Sequence, residues 1–199
     1  MPTSVIHEIV GKKLTNKYKK LDNYNFYLGN IAPDSVNING FAPKEERWFA
    51  HLRDKDLNIW KENIIDFYNT NKDKYEESFF IGYITHIMTD IIYDELFYDK
   101  VVKPMKKINL EGHEAHLYML DEMNAYGINN VEYNEVLNCL KKNNNYYDIR
   151  NINKKIMEEW KLKIINQVLP SIKVEFITEE IINSLEYSVE KELIKNKIL

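Results

Sequence analysis

All five histidines of this 199-residue chain lie in its first 116 residues, and one of them has an aspartate one helical turn away. His86 is followed four residues later by Asp90 within a strongly apolar stretch, so both side chains leave the same face of a predicted helix. Burying an ionised aspartate there is costly unless a cation or hydrogen-bond donors compensate. Imidazole and carboxylate are the usual zinc ligands. The pair therefore predicts a buried metal site.

One helix supplies only two ligands, so other segments must complete the site. The candidates are His7, Asp34 and His51. Taken singly, a loop aspartate is more often a turn or cap residue, and a helix histidine is more often a satisfied surface or core group. A histidine–carboxylate pair at this spacing is expected about once by chance in such a composition. The alternative is that His86 and Asp90 simply pair with each other.

A further pair of histidines stands in His113-Glu114-Ala115-His116. Imidazoles at i and i+3 share a helix face. The spacing is one residue short of the His-Glu-x-x-His motif of metalloproteases, so that activity is not indicated. The sequence leaves open whether His113 and His116 are metal ligands.

The elements that must position these residues follow from the periodicity of apolar side chains. A helix in the first residues places His7 in its first turn. Residues 22–43 are rich in glycine, proline and asparagine and are predicted to form a loop that carries Asp34. Pro43 begins a helix that carries His51.

The longest periodic segment, residues 75–102, is apolar almost all round and is ended by Pro104. Such a helix is central in a fold. The stretch 172–177 alternates weakly and is ambiguous. Further helices are predicted near 57–68, 112–127, 131–142, 151–169 and 173–197. The fold class is therefore predicted to be all-α, a multi-helix bundle in one domain spanning 1–199, with a motif-bearing part (1–125) and a helical C-terminal part (126–199).

Composition and net charge argue against several classes of function and location. The net charge of −4 argues against non-specific binding to duplex DNA. The lone Cys139 excludes an intramolecular disulfide and is predicted to be a buried packing residue. No apolar run is long enough for a transmembrane helix, and the first residues lack a secretory signal, so a cytoplasmic location is predicted.

The order of these motifs resembles the zinc-dependent phospholipase C and P1 nuclease family, especially its shorter, leaderless bacterial members. The resemblance covers the first half of the chain. It is carried by Met1-Pro2-Thr3-Ser4-Val5-Ile6-His7, Phe26-Tyr27-Leu28-Gly29-Asn30-Ile31-Ala32-Pro33-Asp34, Ala50-His51-Leu52 and Gly82-Tyr83-Ile84-Thr85-His86-Ile87-Met88-Thr89-Asp90.

The resemblance implies an all-helical hydrolase that cuts phosphodiester bonds with one to three Zn²⁺ ions. By it, His51, His86 and Asp90 would hold one metal, and His7 would join Asp90 at a second. Asp34 would be a metal ligand or the catalytic group that orients the attacking water. The implied substrates are a small phosphodiester, a phospholipid headgroup or single-stranded nucleic acid.

The chain departs from the family pattern at the third metal. The family uses a further histidine and a later His-x-x-x-Glu helix, whereas Leu117 and Leu120 stand four residues after His113 and His116. Whether His113, Glu114 and His116 replace those ligands stays open, as does the oligomeric state. The second hypothesis is therefore a non-catalytic helical binding or scaffold protein that retains the fold and at most a structural metal.

Overall fold

Helices make up the regular structure of this protein, for which a computed structural model describes residues 1–199. The all-α prediction is confirmed, since the only β-type pairing is an isolated bridge between Ile149 and Ile152. The α-helices are α1 (Ser4–Lys17), α2 (Asn23–Ile31), α3 (Lys44–Ala50), α4 (Leu57–Asn71), α5 (Glu77–Ile92), α6 (Tyr98–Val102), α7 (Gly112–Tyr126), α8 (Val131–Lys142), α9 (Lys154–Asn166) and α10 (Glu179–Lys195).

Helix α5 is the central element, as its all-round apolar character predicts. Every residue from Ser78 to Ile92 is buried, and α1, α2, α4 and α10 pack around it. The prediction of one helix over 75–102 is only partly right. After Ile92 the chain widens into a π-helical turn at Tyr93–Phe97 before α6.

The prediction of a loop over 22–43 is wrong, because residues 23–31 form the buried helix α2. Two glycines make this helix possible by letting α2 and α5 touch through their backbones. A Cβ on Gly29 would lie 1.9 Å from the Phe79 carbonyl oxygen, and one on Gly82 would lie 2.1 Å from that of Phe26. Close tertiary packing therefore overrides the weak helix propensity of the segment.

Asp34 and His51 are brought close to α5 by two short elements. Asp34 lies on the 3-10 helix Pro33–Asn37, which follows α2, and not on irregular backbone as predicted. His51 is the C-cap of α3, one residue beyond the helix that was expected to carry it. Helix α3 packs against the 3-10 helix, so these two side chains approach each other.

The ambiguous stretch 172–177 is neither strand nor helix, and α10 begins only at Glu179. Its backbone is held by a buried carboxylate. Glu122 of α7 accepts hydrogen bonds from the N–H groups of Glu175, Phe176 and Ile177, at 2.9, 2.9 and 3.1 Å. No strand is available to pair with this segment, so the side chain of Glu122 satisfies its donors instead.

One cluster of 44 buried hydrophobic side chains extends from Val5 to Ile198. Cys139, expected to be buried, is half-buried at the edge of this core, and burial raises the pKa of its thiol. No helix has the length and apolar character needed to span a bilayer.

Candidate metal centre

Three imidazoles from three different elements meet beside α5. The rings of His7 and His86 are stacked, with centroids 3.7 Å apart and planes inclined by 10°. The ring of His51 lies 5.3 Å from that of His86. All three side chains are buried. Separate sequence segments therefore converge where the sequence pattern predicts a site.

Two carboxylates share this space with the imidazoles. Asp90 Oδ1 lies 3.4 Å from His7 Nε2, and Asp90 Oδ2 lies 3.7 Å from His51 Nε2 and 3.8 Å from His86 Nε2. Asp34 approaches the other side of the cluster, 3.5 Å from His51 Nε2 and 3.9 Å from His86 Nε2. Asp34 is 16% exposed and Asp90 is fully buried, so the cluster opens to solvent beside Asp34.

Backbone carbonyls orient two of the imidazoles. His86 Nδ1 lies 2.7 Å from the carbonyl oxygen of Asn30, and His51 Nδ1 lies 2.8 Å from that of Arg47. A carbonyl only accepts, so Nδ1 of each ring carries a proton, and in the neutral imidazole Nε2 then keeps a free lone pair. Both free lone pairs face Asp34 and Asp90. This is the tautomer that a metal-ligating histidine needs.

The donor atoms of the cluster are buried but lack hydrogen-bond partners. These atoms are both ring nitrogens of His7, Nε2 of His51 and His86, and both oxygens of Asp90. Buried polar groups without partners are rare in proteins, and a cation would compensate for all of them at once. Two groups of three ligand atoms lie within 4.8 Å of one another, His51 with His86 and Asp90, and His7 with Asp34 and His86. The residues therefore fit a zinc-type ion.

The ionisation states of His86 and Asp90 also suit a cation. Burial lowers the pKa of His86 to about 3, an effect strengthened by His7 and only partly opposed by Asp34 and Asp90. Burial raises the pKa of Asp90, but His7 and the other imidazoles lower it more, so the pKa lies below its ordinary value. Neutral imidazole beside ionised carboxylate is the state in which these groups bind metals. Burial lowers the pKa of His51, but Asp34 and Asp90 raise it more, so a cation bound there would displace a proton from that ring.

The structure leaves His113 and His116 outside both ligand groups. His113 is exposed, and His116 is half-buried with its ring 6.2 Å from that of Tyr98. Burial and the nearby N-terminal amine lower the pKa of His116. The two residues share a helix as expected, but α7 places them away from the three imidazoles and two carboxylates described above.

Sequence reasoning missed Asn30. Its backbone oxygen orients His86, and its side-chain Nδ2 donates a 2.7 Å hydrogen bond to the carbonyl of His7. One residue thus links two candidate ligands on different helices. No side-chain motif marks a backbone carbonyl as an orienting group, so only the position of Asn30 near Asp34 offered a signal.

Of three comparisons with known proteins, one returned a match, and that match agrees with this geometry. Searches of curated proteins and of solved structures returned no match. A family model described as zinc dependent phospholipase C matches residues 3–168, which include all five residues of the cluster. Because this match covers most of the 199 residues, the chain belongs to the zinc-dependent phospholipase C family.

Proposed function

We propose that this protein is a zinc-dependent hydrolase of phosphodiester bonds, with a phospholipid or similar phosphodiester as substrate. The observation that carries the proposal is the buried cluster of three imidazoles and Asp90, in which both Asp90 oxygens and a ring nitrogen of each histidine lack hydrogen-bond partners, with Asp34 at its edge. Membership of the family favours a phospholipid headgroup over single-stranded nucleic acid.

The cluster would hold at least one ion. The two ligand groups share His86, whose Nε2 has a single lone pair and can bind only one metal. We assign His51, His86 and Asp90 to the first ion, with His7 and Asp34 available to a second. A bound divalent cation lowers the pKa of water and neutralises phosphate oxygens during in-line displacement.

Asp34 would act on the attacking water. Burial raises the pKa of Asp34, but contact with His51 and the nearby His86 lower it by more. The pKa therefore lies below its ordinary value, and the group stays ionised at neutral pH. Its position at the open side of the cluster lets a carboxylate oxygen accept a proton from water. The water oxygen would then bond to phosphorus, the ester P–O bond would break, and the leaving alkoxide would take up the proton that Asp34 accepted.

The first test is the metal content of protein purified without chelator. We expect at least one equivalent of zinc in the wild type, loss of zinc in His86→Ala, and retention in the matched control His113→Ala, since His113 is exposed and outside the cluster. A wild type that takes up no zinc even after dialysis against the metal would overturn the proposal.

The second test is hydrolysis. Phosphatidylcholine vesicles, bis(p-nitrophenyl) phosphate and a single-stranded oligonucleotide represent the three substrate classes. We expect release of phosphocholine from the vesicles and a loss of about 10²-fold in rate for Asp34→Asn, the scale of general acid–base catalysis. Retained zinc with lost activity would identify Asp34 as the water-orienting group.

The scaffold hypothesis keeps one supporting observation, which is that His113 and His116 lie outside the cluster. A third metal would then lack its ligands. This alternative predicts bound zinc, no hydrolysis of any of the three substrates, and lower stability when the metal is removed.

A further inference from the structure

The short helix α3 ends in an unusual way where it presents His51. Arg53 N–H donates to the carbonyl of Trp48 at 2.9 Å, and Leu52 N–H donates to that of Phe49 at 3.2 Å. These two hydrogen bonds form a Schellman motif, in which the residue after the C-cap adopts left-handed backbone angles. That residue is Leu52, with φ of 54°.

Leucine is a poor residue for this conformation. Glycine is usual there, and a residue with a Cβ is destabilised by about 1 kcal/mol. Such a residue persists when the surrounding structure holds it in place. The packing of helix α3 does little to stabilise the left-handed conformation of Leu52, because Ala50 is the only buried residue of this helix.

Side chains of other elements stabilise this backbone conformation by hydrogen bonds. Four consecutive backbone carbonyls, those of residues 49 to 52, each accept a hydrogen bond from a distant side chain. The donors are Arg150 Nε to Phe49 O at 2.6 Å, Tyr83 Oη to Ala50 O, Trp60 Nε1 to His51 O at 2.8 Å, and Asn63 Nδ2 to Leu52 O at 3.2 Å. We call these four donors the carbonyl clamp.

Arg150 contributes more than one hydrogen bond to the clamp. Its guanidinium lies 3.8 Å from the ring centroid of Phe49 and 5.3 Å from that of Phe67, and its charge stands at the negative end of α3. Its own backbone is left-handed, with φ of 53°. The tight turn that carries it is fixed by the bridge between Ile149 and Ile152.

We propose that the carbonyl clamp positions His51 for metal binding, with Tyr83 and Arg150 as positioning residues. The inference rests on the proposed function, because it concerns the same metal centre. By fixing the backbone of residues 49–52, the clamp keeps His51 Nε2 within 3.5 to 3.7 Å of Asp34 and Asp90. Through Arg150, the C-terminal half of the chain thereby acts on a cluster whose five residues all lie in the first half.

Tyr83→Phe tests the proposal because it removes one hydroxyl and little else. The matched control is Tyr27→Phe, since Tyr27 is also fully buried and its hydroxyl lies 2.7 Å from Thr15 Oγ1, away from α3. Both variants lose one buried hydrogen bond. A merely structural role predicts the same small loss of stability in both and no difference in zinc affinity.

The first readout is the zinc dissociation constant of the full chain, measured by competition with a chelator. We expect it to rise about 10-fold in Tyr83→Phe, the scale seen for residues that orient metal ligands, and to be unchanged in Tyr27→Phe. Equal zinc affinity in the two variants would overturn the proposal.

The second readout uses zinc-free protein, so it stands even if the wild type binds no zinc. We expect one sharp set of His51 ring signals by NMR in the wild type and in Tyr27→Phe, and broadened or doubled signals in Tyr83→Phe. Unchanged His51 signals in Tyr83→Phe would refute the clamp by themselves. If Tyr83→Phe does not fold, Arg150→Met gives the same comparison, with Arg150→Lys expected to restore only part of the effect.

Discussion

Asp90 and Glu122 are both fully buried carboxylates, yet the protein surrounds them in opposite ways. Glu122 accepts three backbone hydrogen bonds from residues 175–177. Asp90 has no hydrogen-bond donor for either oxygen and is encircled by three imidazoles. Burial of a carboxylate needs compensation in both places. At Glu122 the chain provides the compensation itself, and the carboxylate holds the fold together. At Asp90 it does not, and the imidazoles around the carboxylate make the place suited to a cation.

Removing the satisfied carboxylate should have the largest effect on stability. Glu122→Ala leaves one buried and two part-buried backbone N–H groups without their acceptor, and an orphaned buried donor costs about 1–3 kcal/mol. We therefore expect the free energy of unfolding in urea, with chelator present, to fall by about 3 kcal/mol. Glu158→Ala, at an exposed position of α9, serves as the control. A loss below about 1 kcal/mol would show that Glu122 is not the anchor of residues 175–177.

Substituting the unsatisfied carboxylate should have the opposite signature. Asp90→Asn preserves volume and breaks no hydrogen bond but removes the charge that the neighbouring imidazoles attract, so we expect the zinc-free stability to fall by about 1 kcal/mol, less than in Glu122→Ala. In the wild type, free zinc at 100 times the dissociation constant should add about 2.7 kcal/mol. This increment should disappear in Asp90→Asn and remain in Asp66→Asn, an exposed control on α4. Equal stabilisation of both variants by zinc would contradict the comparison.

Substitution of Asn30 should have an effect of intermediate size, because its side chain donates a hydrogen bond to a backbone carbonyl beside the cluster. Asn30→Ala removes the hydrogen bond to the His7 carbonyl but keeps the Asn30 carbonyl that orients His86. We expect a loss of about 1 kcal/mol in zinc-free stability and a roughly 10-fold weaker zinc affinity. The exposed Asn134→Ala is the control. A variant that loses stability while binding zinc normally would restrict Asn30 to the fold.

The smallest effect should come from a carboxylate that solvent partly compensates. Glu190 of α10 accepts hydrogen bonds from Lys17 and Tyr18 at 2.7 and 2.8 Å. Burial raises its pKa, but these two donors lower it more, so the pKa lies below its ordinary value. Stability from a lowered carboxyl pKa is present above the unfolded pKa and is lost as pH falls through the folded pKa. Glu190→Gln should thus cost about 0.5 kcal/mol near pH 7 and little near pH 3. An equal cost at both pH values would exclude this ion pair as the cause.

Some features of the fold and of the candidate site could be predicted from sequence patterns, and others could not. The central helix α5 followed from its apolar circumference, and the grouping of His86 with Asp90 followed from helical spacing. Helix α2 was missed because glycine and asparagine weaken local propensity, whereas its stability comes from the close contact of Gly29 and Gly82 with the opposite backbone. The ambiguous stretch 172–177 could not be assigned because its hydrogen-bond acceptor, Glu122, lies 53 residues away in sequence.

Side-chain chemistry and a period of 3.6 residues are enough to predict the helical class, the central helix and the residue types that can bind a metal. Which histidines meet depends on how the helices pack. This packing brings His7, His51 and His86 together with Asp34 and Asp90, leaves His113 and His116 apart, and places Tyr83 and Arg150 at the end of α3. The position of a ligand depends on the packing of whole helices and on backbone carbonyls, and no residue type in the sequence identifies either of them.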